Sequence, residues 1–196
     1  MKLHYMGKYN LNPDSLPHEP HKPNAVPFKE IQDTKKFGII SNVIAMIVIV
    51  LAFIPLFFKY KLELFPLPIL IGCLLFYFIL FPHELLHAIC FKKDVYLYTN
   101  FKQGILFVVG PETMSKGRFI FMSLLPNLVF GFIPYIVSLV APGNLIFATL
   151  GAFGAMCIGS GAGDYYNIFN AFTQMPKGAR TYLHKFNSFW YLPEDK

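Results

Sequence analysis

Charge is almost absent from four stretches of this chain, and water cannot accommodate such stretches as exposed helices. Lys36 and Lys59 bracket 22 residues with no charge, and Glu63 and Lys92 bracket 28 residues with a single one, Glu84. Arg118 and Asp164 bracket 45 more, broken only by the turn signal Ala141-Pro142-Gly143-Asn144. A bilayer-crossing helix needs about 20 apolar residues. The pattern therefore predicts four spans, at 37–58, 65–91, 118–141 and 144–172. Composition agrees, because charged residues make up 14% of the chain against about 25% in a soluble domain. An ordinary water-soluble globule is excluded, and hydrophobic residues at 55% exclude disorder.

The basic residues orient the spans. Lys and Arg number six before residue 37, five between spans two and three, and four in the tail; the first loop has two and the third has none. With four spans the split is 15 against two, which predicts both termini in the cytosol. The net charge of +6 is thus read as an orientation signal and not as nucleic-acid binding. The three cysteines sit far apart in apolar runs and form no disulfide framework.

The expected fold is an all-α polytopic membrane protein with one small β-hairpin. Residues 1–36 hold five prolines and are expected to be an extended cytosolic segment. Residues 37–172 form the four-helix transmembrane core, and 173–196 a cytosolic tail. Val95-Tyr96-Leu97-Tyr98-Thr99 and Ile105-Leu106-Phe107-Val108-Val109 flank the turn Phe101-Lys102-Gln103-Gly104, which predicts a hairpin over 95–109. His4, His18, His21 and His184 lie in the two ends and read as solvated. Tyr165, Tyr166 and Phe189-Trp190-Tyr191 read as interface anchors.

Span two ends Pro82-His83-Glu84-Leu85-Leu86-His87. On a helix His83 and His87 share one face, one turn apart. Two imidazoles so placed reach one metal ion, and the adjacent Glu84 takes a proton from water on that metal. Ionisable groups inside a membrane cost about 2.5–3.5 kcal/mol each on insertion scales and mark function. Within the spans the acids are Glu84 and Asp164, and the histidines are His83 and His87. Together they make the three ligands and one base of a mononuclear zinc hydrolase. His83, Asp164 and Asn127 also lie at similar depth, about 13–20 Å from cytosolic flanking charges at 1.5 Å per residue. Gly151, Gly154, Ala155, Gly159 and Gly161 line span four and let helices approach closely. Cys90, on the histidine face, is read as packing more readily than as a thiolate ligand.

At these residues the chain resembles the site-2 protease class of intramembrane zinc metalloproteases, and more narrowly a bacterial group of membrane zincin peptidases. The resemblance covers about 65–172 and rests on Pro82-His83-Glu84-Leu85-Leu86-His87, Pro126-Asn127 and the later Asp164. It implies His83, His87 and Asp164 as Zn2+ ligands, Glu84 as catalytic base, and Asn127 as a residue that helps hold substrate or the oxyanion. It implies a membrane protein or peptide as substrate, and a bacterial cytoplasmic membrane as location. Two other functions fit the same residues: a non-enzymatic zinc carrier or sensor, and an inactive protease-like scaffold.

Overall fold

A computed structural model describes residues 1–64 and 66–193. Phe65, where the second span is expected to begin, and the last three residues of the tail lie outside the described residues. The chain folds as two compact units, one gathering residues 1–30, 84–123 and those from 167 onward, the other 31–83 and 124–166.

The second unit carries the apolar helices. Helix α1 (Thr34–Leu64) is interrupted at Lys61, whose φ is 58°. Helix α2 (Pro66–Ile89) continues past this unit into the other. The third apolar segment runs through α3 (Lys116–Pro126), a π-helical turn over Asn127–Phe132, and α4 (Ile133–Val140). Helix α5 (Leu145–Ser160) is followed by α6 (Ala162–Gln174). Among the described residues three helices are long and apolar enough to cross a membrane, or four if the pair α5–α6 is one span.

Expectation and structure part at that pair. The predicted helix 144–172 is bent by 50°, because the run Gly159-Ser160-Gly161-Ala162-Gly163 is a weak helix former at its centre. Upstream of the bend, the small residues do bring helices together. A Cβ on Gly154 would lie 2.7 Å from the Tyr135 backbone nitrogen of α4, and one on Gly72 of α2 would lie 2.9 Å from the Phe153 nitrogen of α5. Leu56, Tyr60, Ala148 and Ala155 form the buried core between α1 and α5. Lys59 donates to the carbonyls of Ser138, Leu139 and Ala141, closing the end of α4. The outer faces stay uncovered: Val43, Ile47, Val50, Leu51 and Phe58 of α1 are all more than half exposed. A helix apolar on every side and bare in isolation is the pattern of a membrane span.

The first unit corrects the all-α expectation, because it contains two sheets. One has the order β1-β3-β4, with β1 (Lys2–Lys8), β3 (Asp94–Asn100) and β4 (Ile105–Val109). The predicted hairpin is β3–β4, paired from Tyr96↔Val109 to Asn100↔Ile105, with Gly104 in the left-handed region at φ 64°. Strand β1 joins β3 in parallel. It precedes the first proline, so the proline run does not prevent it from pairing. The second sheet has the order β2-β7-β6-β5, with β2 (Val26–Pro27), β5 (Met114–Ser115), β6 (Arg180–His184) and β7 (Asn187–Tyr191). Pro27 sits on an edge strand, where its missing donor costs nothing.

These sheets also order the chain ends, and His18 and His21 stay exposed there, as expected of solvated histidines. His18, His21 and His184 pack together, with ring centroids 4.9 Å apart for His18–His184 and for His21–His184. His4 contacts Asp94 at 2.9 Å. Trp190 packs on the buried cluster Phe28, Ala171, Met175 and Ala179. Tyr166 accepts a hydrogen bond from the Ile31 backbone. All three cysteines are free.

Candidate metal centre

The last two turns of α2 bring His83, Glu84 and His87 together, and one potential ligand atom from each lies within 4.8 Å of the others. Among the described residues this is the group whose donors already converge for a metal ion. His87 is buried, and its Nδ1–H donates to the Met122 carbonyl of α3 at 2.9 Å. A carbonyl only accepts, so the neutral ring carries its proton on Nδ1 and presents the Nε2 lone pair. Glu84 Oε2 accepts the Val108 N–H of β4 at 3.0 Å. Neither backbone partner has a residue-type signature, and so neither could be read from the sequence.

The same helix carries His83 toward a second group. His83 Nε2 lies 3.3 Å from Asp164 Oδ2. A tetrahedral zinc with bonds of about 2.0–2.2 Å separates neighbouring ligand atoms by about 3.3–3.6 Å. A direct charge-assisted hydrogen bond closes to about 2.7–2.9 Å. The observed spacing accommodates either a direct ion pair or two donors sharing one ion. Asp164 stands in the first turn of α6, just after the bend. Asn127, fully buried at the start of the π-helical turn, donates from its amide to Asp164 Oδ2 at 2.7 Å. π-Turns of this kind recur at functional sites because they re-aim one side chain.

Thus His83, Glu84 and His87 form one cluster, and His83, Asp164 and Asn127 form contacts of their own. Cys90 bonds the Leu86 carbonyl through its thiol, as expected for packing. Asn170 bonds Gln174 one turn along α6.

The end of α2 is fixed by a pair that the sequence reading passed over. Arg118 donates to the Cys90 carbonyl through Nε and Nη2, at 2.8 and 2.6 Å, and to Glu112 Oε1 at 2.6 Å. Glu112 Oε2 accepts the Lys92 and Lys93 N–H groups. Burial pushes the Glu112 carboxyl up, but these partners more than offset it and hold it below its ordinary value.

Residues 76–180, more than half of the chain, match a family model described as "Putative zincin peptidase". No curated protein matches the chain, and no solved structure does. Zinc is the metal that this description implies, and the imidazole and carboxylate donors of His83, Glu84 and His87 suit it.

Proposed function

Because the chain belongs to the zincin peptidase family, we propose that it is an intramembrane zinc metalloprotease of the site-2 protease kind. It hydrolyses peptide bonds in membrane-embedded or membrane-associated substrates. One observation carries the reading: a His-Glu-x-x-His cluster ends an apolar helix, with the Asp164 carboxylate at ligand spacing from His83. His83, His87 and Asp164 hold the metal, and Glu84 is the base.

Bound zinc supplies Lewis acidity, polarising the scissile carbonyl and lowering the pKa of a water to about 7. Glu84 takes the proton of the attacking water and returns it to the leaving amine nitrogen. The Val108 N–H holds one oxygen of Glu84, which orients the carboxylate before substrate arrives. A helical substrate has its backbone already paired and must unwind to offer a carbonyl. Strand β4 is the outer strand of its sheet, so its edge offers replacement hydrogen bonds by strand addition. The uncovered apolar helices support placement in a bilayer, and the 15-to-two bias of Lys and Arg supports cytosolic termini. We place the protein in the bacterial cytoplasmic membrane.

The test is Glu84→Gln in proteoliposomes with a single-span model substrate. Cleavage falls about 10²–10⁴-fold while bound zinc stays at the wild-type level. Cleavage equal to wild type in the variant overturns the assignment of the base. A wild-type protein that moves zinc without cutting, and still does so as Glu84→Gln, is a carrier.

A further inference from the structure

Tyr165 follows Asp164 and has the composition of an interface anchor, yet its ring points inward. Its single hydroxyl proton is shared between the Ile158 carbonyl at 2.9 Å and, more weakly, Asn127 Oδ1 at 3.3 Å. The Asp164 carboxylate fixes which way the Asn127 amide faces. The oxygen and nitrogen ends of an Asn amide are nearly identical in shape, and neighbours decide which way it faces. A carboxylate only accepts, so the NH2 end faces Asp164, where it donates at 2.7 Å, and Oδ1 is left toward the Tyr165 hydroxyl. The opposite orientation would set an amide oxygen against the carboxylate in a site where Asn127 has no solvent exposure. Two buried acceptors facing each other without a donor are costly, because neither is satisfied.

The backbone around this contact is shaped to permit it. A Cβ at Gly161 would collide with the Asn127 amide, so the residue at the bend between α5 and α6 has to be glycine. The π-helical turn begins at Asn127 itself. The bend, the π-turn and the hydroxyl therefore converge on one amide, and the amide contacts one carboxylate.

We propose that Tyr165 is a positioning residue for the metal centre. Its hydroxyl braces the Asn127 amide at Oδ1, and Asn127 holds the Asp164 carboxylate beside His83 in the orientation that ligates zinc. Asn127 then acts through Asp164 and not on substrate. The inference rests on the proposal that Asp164 is a zinc ligand. Groups that orient metal ligands are worth about 10–100-fold in metal affinity.

The experiment measures zinc affinity of the full purified chain by competition with a chromophoric chelator, and the visible spectrum of the Co2+-loaded protein. Tyr165→Phe keeps the ring and removes the hydroxyl. Affinity falls about 10–100-fold, the Co2+ bands shift, and cleavage recovers at saturating zinc. Asn127→Leu weakens binding at least as much, and the double variant is no worse than Asn127→Leu alone, because the two groups act in series. Gly161→Ala leaves both groups present but displaces the amide, and it gives the same loss if Tyr165→Phe proves too unstable to purify. Asp164→Asn separates the two levels of the argument. If Asp164→Asn loses zinc and Tyr165→Phe binds it within twofold of wild type, the positioning role is wrong and the ligand assignment stands. If Asp164→Asn binds zinc like wild type, the ligand assignment fails and the inference falls with it.

Discussion

Glu112→Ala is expected to unfold the end of α2 at a lower temperature and release His87 from its setting. Glu112 and Arg118 have side-chain exposures of 8% and 21%, so this is a largely buried pair. Its five hydrogen bonds satisfy both carboxylate oxygens, and they tie the Cys90 carbonyl to the Lys92 and Lys93 amides. Removing one partner of a buried pair costs about 3–5 kcal/mol. Arg118 retains its bonds to Cys90 and some solvent, so the lower end, about 3 kcal/mol, applies. For a chain of this size that lowers Tm by about 6–12 °C. Thermal unfolding of detergent-purified protein measures it. The double variant Glu112→Leu/Arg118→Met removes both charges, and is expected to recover much of the loss. The pH dependence has a definite sign. The folded pKa of Glu112 lies below its ordinary value of 4.5, so the stabilisation is complete above that pH and fades as pH falls through the folded value. The Tm gap between wild type and Glu112→Gln therefore narrows below about pH 4.5. A gap under 2 °C at pH 7, or one that widens in acid, refutes the reasoning.

Two further perturbations probe the apolar helices. Gly154→Val forces side-chain atoms against the Tyr135 and Gly131 backbone, which backbone cannot yield to cheaply. Purified yield and Tm both fall, whereas Gly143→Ala, where a Cβ meets nothing, changes Tm by less than about 2 °C. Lys59→Met strips three carbonyls at the end of α4 of their shared donor, with an expected loss of about 1–3 kcal/mol in a denaturant titration.

What could be read from the chain, and what could not, follows from the range of the forces involved. The charge-free runs located the apolar helices because burying a charge in lipid is expensive at any position along a span. His83, Glu84 and His87 were legible because four-residue spacing on a helix is local. The β3–β4 hairpin was legible for the same reason. Strand β1 was not: it pairs with β3 across some ninety residues, and nothing in Lys2–Lys8 announces a parallel partner. The C-terminal hairpin escaped because Phe189-Trp190-Tyr191 has the same composition whether it packs on Phe28 or rests at an interface. Tyr165 has that same composition, and its bonds to Ile158 and Asn127 depend on the fold. The run Gly159–Gly163 reads as a close-packing stripe, and its second consequence is the bend that presents Asp164. Asp164 itself was found from the rarity of acids inside spans, a signal independent of fold.

The account stands on a single zinc held by His83, His87 and Asp164. The most direct measurement is an experimental structure of the zinc-loaded chain, with the metal located by anomalous scattering at the zinc edge. The expected result is one peak with His83 and His87 nitrogens and an Asp164 oxygen each about 2.0–2.2 Å away. A peak bound by the two histidines with the Asp164 carboxylate beyond about 4 Å, or no peak at α2 in the loaded protein, contradicts it.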